Sequence, residues 1–167
     1  MKSPNKLIAA VAALAIAAGI SFGLYLRDEA PQASFAALSG EKFSTADLRG
    51  KVVLVNFWAT TCDVCVHEMP QMIQAYRDFA PRGYEMVAVA MSYDHPNAVA
   101  AYAQANRLPF KVALDADGQI ARAFSDVSAT PTSILLDKRG RVLKRILGEP
   151  DWAEFRALVE KALAQSS

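Results

Sequence analysis

Two cysteines, Cys62 and Cys65, are the residues of this 167-residue chain with the clearest chemical potential. They are its only cysteines and stand three positions apart, which is too few and too close for a structural disulfide framework. A dithiol at this spacing can form, break and exchange a disulfide through a thiolate. The other interpretations of such a pair are half of a zinc site, a haem attachment site, or coincidence.

Neighbouring residues weigh against the zinc and haem interpretations. A structural zinc site normally has four protein ligands, and only His67 and the distant His95 could add to the cysteines. Haem attachment needs a histidine directly after the second cysteine, where Val66 stands. Redox exchange is therefore the favoured chemistry, and we expect no metal and no cofactor beyond a redox-active disulfide between Cys62 and Cys65.

Composition limits the number of domains and the kinds of partner. The chain is 53% hydrophobic and 21% charged, with a formal net charge of +1. This balance indicates neither a basic surface for nucleic acid nor an acidic tail. The roughly 140 residues that follow an apolar N-terminal stretch suit one compact domain with its own core.

The apolar stretch covers residues 7–26 and contains no charged residue. A helix of this length spans roughly 30 Å, enough to cross a bilayer. Lysines precede it and a net negative segment follows it, so the positive-inside bias places residues 1–6 in the cytoplasm. We expect a single-pass anchor in the cytoplasmic membrane with a periplasmic catalytic domain. A cleaved signal sequence ending near Gly23 is the alternative, and it also exports the domain.

Hydropathy patterning places a short polar linker at 27–34 and one domain at 35–167. Apolar, β-branched runs predict buried strands, listed in chain order as 51–57, 84–91, 132–136 and 141–147. Spacings of three and four predict helices directly after the cysteines, over 97–106, and from Asp151 onward. Only an irregular stretch is predicted over 35–49. The order predicts an α/β domain with a mixed central sheet flanked by helices on both faces.

The predicted helix after the first strand begins close to the cysteines. Backbone N–H groups and the positive end of the helix dipole can then stabilise a thiolate at Cys62, which we expect to be the nucleophile. Cys65 lies one turn further into the helix. We expect it to be more buried and to resolve the mixed disulfide by attacking Cys62.

A set of motifs in a fixed order resembles the TlpA-like and ResA-like membrane-anchored thioredoxins, and it extends over nearly the whole exported part. The motifs are Val55-Asn-Phe-Trp-Ala-Thr60, Cys62-x-x-Cys65, Glu68-Met-Pro70, Thr130-Pro131-Thr132 and Ile134-Leu-Leu-Asp137 followed by Gly140. The resemblance implies a thioredoxin fold and a thiol-disulfide oxidoreductase.

The resemblance also implies roles for residues around the dithiol. Pro131, preceded by Thr130, resembles the cis-proline of the fold, which offers its neighbouring backbone to an incoming peptide. Trp58 resembles the aromatic residue that packs under the active site. Most relatives have tryptophan where this chain has Thr61. We expect Trp58, Thr61 and Thr130 to form the substrate-binding surface, and Pro131 to be part of the catalytic site.

Glu68 is expected to replace a missing acid. Thioredoxin itself has a buried aspartate six residues before its first cysteine, and here Asn56 occupies that place and cannot titrate. Glu68 lies three residues after Cys65, about one helical turn away, and the ResA-like proteins keep an acid at this position. We therefore expect Glu68 to tune and deprotonate Cys65, against the alternative of a helix-surface carboxylate.

Asp63 and Val64, between the cysteines, bear on the direction of electron flow. A carboxylate beside Cys62 opposes its thiolate by like-charge repulsion, which predicts a reductant or a moderate exchanger instead of a strong oxidase. We expect protein thiol and disulfide substrates, for example in cytochrome c maturation or copper-site assembly, and a membrane thiol electron donor. The alternative is a copper-binding metallochaperone that uses the same cysteines.

Overall fold

A computed structural model describes residues 29–165 of the chain. The predicted anchor over 7–26 lies outside these residues, and within 29–165 no helix is both long and apolar enough to span a membrane. The strands are β1 (Ser34–Ala36), β2 (Lys42–Ser44), β3 (Val52–Trp58), β4 (Tyr84–Ala90), β5 (Lys111–Leu114), β6 (Thr132–Leu136) and β7 (Val142–Leu147). The helices are α1 (Asp63–Phe79), α2 (Pro96–Ala105), α3 (Gln119–Ala123) and α4 (Trp152–Ala164).

Five strands form the central sheet in the order β5-β4-β3-β6-β7. β3 and β4 are parallel, as are β4 and β5, whereas β6 is antiparallel to both β3 and β7. All seven residues of β3 are buried, which agrees with its continuous apolar sequence and its central position. The predicted mixed sheet is therefore confirmed, with strand bounds that differ from the predicted ones by no more than a residue.

Alternate residues of the strands face two separate apolar cores, because side chains along a strand point to opposite faces of the sheet. On one face Leu54 and Trp58 of β3 pack with α1, α2 and α4, and we call this the first core. The second core lies on the opposite face. On the other face Val55 and Phe57 pack with the β1–β2 hairpin and α3. Helices on both faces are thus confirmed.

The stretch over 35–49, predicted as irregular, contains the antiparallel hairpin of β1 and β2. Phe35 and Phe43 face each other across it and stack with ring centroids 5.0 Å apart. Gly40 lies in the turn between the two strands, with a φ of 87° that favours glycine. The prediction missed the strands because each is only three residues long, which is too short for an alternating pattern to stand out.

Two further elements, β5 and α3, were also absent from the prediction. β5 has four residues and α3 has five, so neither is long enough for its pattern to repeat several times. The Asp115 carboxylate sets the start of α3 by accepting hydrogen bonds from the backbone N–H groups of Ile120 and Ala121, at 2.9 and 2.8 Å. α4 begins where predicted, and Asp151 caps it by accepting a hydrogen bond from the Glu154 N–H at 2.9 Å.

The predicted linker over 27–34 needs correction in its described part. Ala30 and Ala33 are 6% and 9% exposed and pack into the second core. The Ala30 N–H donates to the Gly140 carbonyl at 2.8 Å, and the Ala33 N–H donates to Thr45 Oγ1 at 3.0 Å. The segment from Ala30 to Ala33 therefore belongs to the folded domain. The polar sequence around it gave no sign of this, because the two buried residues are small alanines.

Replacement of Leu54 by alanine tests the packing of the central strand. Leu54 is fully buried in the first core, and the cavity left by Leu54→Ala should lower the free energy of unfolding by about 2–5 kcal/mol. Chemical denaturation measures this change. Leu38→Ala is the matched control, because Leu38 is 39% exposed and its truncation should change stability by about 0.5 kcal/mol or less. Equal effects of the two substitutions would contradict the assigned core.

Candidate active site

Cys62 and Cys65 are joined by a disulfide bond at the start of α1. Cys62 is the N-cap residue of the helix and is half-buried, whereas Cys65 is 0% exposed. The Cys62 sulfur accepts a hydrogen bond from the Cys65 backbone N–H at 3.2 Å. The helix terminus therefore directs a backbone N–H donor at the Cys62 sulfur, which is the arrangement that stabilises a thiolate.

The loop between β3 and α1 is fixed by backbone and side-chain hydrogen bonds. The Cys62 N–H donates to the Ala59 carbonyl at 3.2 Å, and the Val66 N–H donates to the Cys62 carbonyl at 3.0 Å to begin the helix. The Asp94 carboxylate, 8% exposed, accepts from the Thr60 N–H at 2.6 Å and from Thr60 Oγ1 at 2.7 Å. Asp94 thus ties the residues just before the dithiol to the loop that follows β4.

Glu68 lies in the protein core and not on the helix surface. Its side chain is among the largest fully buried ones, with 1% exposure. Glu68 Oε1 accepts a hydrogen bond from Asn56 Nδ2 at 3.2 Å, and the same Nδ2 donates to Ser133 Oγ at 3.0 Å. These three polar side chains come from α1, β3 and β6, and Asn56 and Ser133 are directly paired across the sheet. The alternative of a surface carboxylate is therefore wrong.

The polar cluster of Glu68, Asn56 and Ser133 is only partly satisfied. Glu68 Oε2 and Asn56 Oδ1 are buried and have no hydrogen-bond partner among the described residues. Burial raises the pKa of Glu68 from 4.5 to about 7; the Asn56 hydrogen bond opposes this shift, and the negative charge of Glu149 adds to it. A carboxyl group in this state can hold or release a proton near neutral pH.

The predicted cis-proline is confirmed, because the Thr130–Pro131 peptide bond is cis. Pro131 directly precedes β6, whose first residue Thr132 pairs with Phe57 near the end of β3, so Pro131 lies at the dithiol end of the sheet. The Pro131 carbonyl accepts from the Gly148 N–H at 2.8 Å. The Thr130 Oγ1 is 3.3 Å from the hydroxyl of Tyr93, and the two are hydrogen-bonded.

Trp58 packs under the active site as predicted, but it is not positioned to contact a substrate. It is 0% exposed and lies against Tyr102, with ring centroids 5.2 Å apart. Its place as the last residue of the central strand buries it on the helix side of the sheet. The substrate-binding assignment is therefore corrected for Trp58. Thr61 is exposed and Thr130 is half-buried, so both remain available to a substrate.

No observation favours the copper-binding alternative. His67 is exposed on α1, as its spacing from Cys65 predicts. Over residues 29–165, no group of three or more His, Cys, Asp or Glu side chains is arranged to hold a metal ion.

Comparison with known proteins agrees with the geometry of the dithiol. The Redoxin family model matches residues 26–163. The chain belongs to the Redoxin family. It is 31% identical to the thiol-disulfide oxidoreductase ResA of Bacillus cereus over 96% of this chain and 98% of that protein. It is 36% identical to ResA of Bacillus subtilis over 72% of this chain and 66% of that protein.

Solved structures extend the similarity to the fold. The crystal structure of a thiol:disulfide interchange protein of the thioredoxin family from Chlorobium tepidum is 32% identical, covers 82% of this chain and 97% of that one, and superposes with a TM-score of 0.74. The expected thioredoxin fold and the resemblance to ResA-like and TlpA-like proteins are confirmed. This member of the Redoxin family is a thioredoxin-like thiol-disulfide oxidoreductase.

Four residues of this Redoxin-family site were absent from the prediction: Ser133, Tyr93, Asp94 and Glu149. Tyr93 and Asp94 follow the carboxyl end of β4, which is parallel to β3, so they emerge at the same edge of the sheet as the dithiol. That topology, applied to the predicted strands, could have found both residues. Ser133 on β6 joins the cluster through its hydrogen bond with Asn56, and Glu149 after β7 acts on Glu68 through its charge. No local motif signals either residue.

Replacement of Glu68 by glutamine tests its buried state. Because the folded-state pKa of Glu68 is raised to about 7, the folded protein binds this proton more tightly than the unfolded chain does. The resulting stabilisation is fully present below about pH 4.5 and is lost as the pH rises through about 7. Glu68→Gln should remove this pH dependence of the free energy of unfolding, which amounts to up to about 3 kcal/mol in the oxidised wild-type protein.

Urea unfolding at a series of pH values, compared between wild type and Glu68→Gln, measures the difference. Other titrating groups contribute equally to both proteins and cancel. Glu154→Gln is the control, because Glu154 is exposed and this substitution should leave the slope between pH 4.5 and 7 unchanged. Parallel stability curves for wild type and Glu68→Gln would contradict a raised Glu68 pKa.

Proposed function

We propose that this protein is an exported protein-disulfide reductase, held at the outer face of the cytoplasmic membrane by residues 7–26. One observation carries the chemistry: the half-buried Cys62 at a helix N-terminus is backed by the fully buried Cys65 and by the desolvated carboxyl of Glu68. This combination supports an accessible nucleophile, a protected resolving thiol and a nearby proton acceptor.

The proposed reaction has two displacement steps. In the reduced protein the Cys62 thiolate attacks one sulfur of a substrate disulfide; that S–S bond breaks, a substrate thiolate leaves, and a Cys62–substrate disulfide forms. The Cys65 thiol then passes its proton to the Glu68 carboxylate, and the Cys65 thiolate attacks the Cys62 sulfur. The Cys62–substrate S–S bond breaks, the second substrate thiolate leaves, and the Cys62–Cys65 disulfide remains. Over the two steps the substrate disulfide gains two electrons and the Cys62/Cys65 dithiol loses two.

A second dithiol must return two electrons to the Cys62–Cys65 disulfide after each cycle. An exported domain meets an oxidising compartment, where the disulfide form would otherwise persist. We assign this step to a membrane thiol electron donor, which reduces the disulfide by the same pair of displacements. The proposed anchor would keep both proteins in one membrane and raise the frequency of their encounters.

Exposed apolar side chains around the dithiol support a protein substrate. Among residues 29–165, three of the four exposed large hydrophobic residues lie at this end of the sheet. Val64 is between the cysteines, Tyr93 is hydrogen-bonded to Thr130, and Leu147 pairs with Thr132. Clients such as apocytochrome c before haem attachment, or a copper-site assembly partner, would present a cysteine segment to this surface.

Removal of the resolving thiol tests the proposed function. In Cys65→Ala the second displacement cannot occur, so substrates should stay disulfide-linked to Cys62. Isolation of the variant from its native membrane under acid quench, followed by mass spectrometry, identifies the adducts. We expect proteins that contain paired cysteines.

Cys62→Ala is the matched control, because it retains one thiol but removes the accessible one. Adducts on Cys62→Ala in place of Cys65→Ala would reverse the assigned roles of the two cysteines. An absence of protein adducts on Cys65→Ala would contradict a protein-disulfide substrate.

The charge of Asp63 tests the direction of electron flow. Asp63 is exposed beside Cys62, and its carboxylate opposes formation of the Cys62 thiolate. Asp63→Asn should stabilise the thiolate and so make the reduction potential less negative, by about 30 mV or less for an exposed charge. Equilibration with glutathione or dithiothreitol measures the potential.

Asp78→Asn, at the far end of the same helix, controls for the loss of one negative charge and should leave the potential unchanged. The wild-type potential should be well below that of the strong oxidant DsbA, about −120 mV. A wild-type value near that of DsbA would contradict the reductase direction.

A further inference from the structure

The end of the central sheet opposite the dithiol carries a cluster of basic side chains. Lys138, Arg139 and Arg141 belong to the turn between β6 and β7, and Arg49 lies beside the same turn, with its side chain within 4 Å of the position that a Cβ would take at Gly140. The Gly50 N–H donates to the Lys138 carbonyl at 2.7 Å and holds the two segments together. We call Arg49, Lys138, Arg139 and Arg141 the basic end.

Acidic neighbours neutralise only part of the basic end. Asp137 pairs with Arg141 at 2.8 Å, and Glu29 is 3.9 Å from Arg49. The Lys138 ammonium donates to two backbone carbonyls at the end of α4, which orient it without cancelling its charge. Among residues 29–165, the ion pairs of the basic end thus set four cations against two carboxylates.

A cleft of about 270 Å³ opens at the basic end. Its lining consists of Asp137, which pairs with Arg141, of Lys138, Arg139 and Arg141 from the turn, and of Ala162 and Gln165 from the end of α4. A space of this size admits a phosphate group, and lysine and arginine are the side chains that bind phosphate in proteins.

The chain enters the described domain at this same end. Glu29 forms an isolated bridge with Arg141, and the Ala30 N–H donates to the Gly140 carbonyl. Only residues 27 and 28 separate Glu29 from the apolar stretch over 7–26. Two extended residues reach about 7 Å, so a membrane-embedded stretch would hold the basic end close to the lipid headgroups.

We propose that the basic end is a lipid-docking surface, which binds the phosphate groups of anionic lipids in the membrane that anchors the chain. The inference rests on the proposed anchor and adds an orientation to it. β3 begins beside the basic end and its far end leads into the dithiol loop, and seven strand residues span about 20 Å. Docking therefore turns Cys62 away from the membrane, toward soluble clients.

Hydrogen exchange on the full chain in lipid nanodiscs tests the docking. The turn amides suit this measurement, because the N–H groups of Arg139 and Arg141 both donate to Asp137 Oδ1 at 2.9 Å. Exchange over 137–142 should be at least about fivefold slower in discs of phosphatidylglycerol and phosphatidylcholine than in phosphatidylcholine alone, since each cation near an anionic surface contributes about 1 kcal/mol. High salt should remove the difference.

Arg139→Glu should abolish the lipid-dependent slowing. Lys42→Glu is the matched control, because Lys42 is an exposed lysine in the hairpin beside β5, at the other edge of the sheet, and should retain the slowing. Equal exchange in the two lipids, or slowing that survives Arg139→Glu, would overturn the docking surface.

The outcomes separate this inference from the proposed function. Equal exchange of the wild-type protein in the two lipids, with normal reduction of a model disulfide, would contradict docking alone. Failure of the full chain to remain with discs of either composition would contradict the anchor and the docking surface together. If the wild-type protein did not reduce disulfides, the proposed function would be contradicted, and the lipid-docking surface would be unaffected.

Discussion

Glu68 places an ionisable carboxyl group inside the core, three residues after the buried Cys65 and 3.2 Å from the amide nitrogen of Asn56. A buried carboxylate without full hydrogen bonding is costly, and the group responds by holding its proton to a higher pH. Asn56 supplies only one donor, and that nitrogen also serves Ser133. The sheet therefore reduces the cost of burial without removing it, and this imbalance keeps the pKa of Glu68 near neutrality.

One helix connects this buried acid to the reactive sulfur. The first turn of α1 carries Cys62 as its N-cap, where the N–H of Cys65 reaches the sulfur, and the next turn carries Glu68 into the core. The reactive sulfur and the buried carboxyl group are thus held on the same helix. Two other strands position the residues around the dithiol. β4 leads to Asp94, which fixes the loop before the dithiol. β6 begins just after the cis peptide bond at Pro131.

Much of this arrangement could be predicted from the sequence. The long apolar runs of β3 and β4 and the cysteine spacing indicated the fold and the reactive pair, because burial on both faces leaves a continuous signal. The sequence does not decide whether Glu68 is buried or exposed, because a glutamate three residues after a cysteine can lie on either face of the helix. Its contacts with Asn56 and Ser133 depend on strand register. Likewise, β1, β2, β5 and α3 are too short for a periodic pattern, and their positions depend on tertiary packing.

The most direct test of this account is the titration of Glu68 itself. Carbon-13 NMR of the side-chain carboxyl, assigned with Glu68→Gln, would follow its ionisation in the oxidised protein and again after reduction of Cys62 and Cys65. The account predicts a pKa near 7 in the oxidised protein and a titration that changes on reduction, because the proton acceptor and the Cys65 thiol are coupled. A pKa near 4.5 that is the same in both redox states would contradict it.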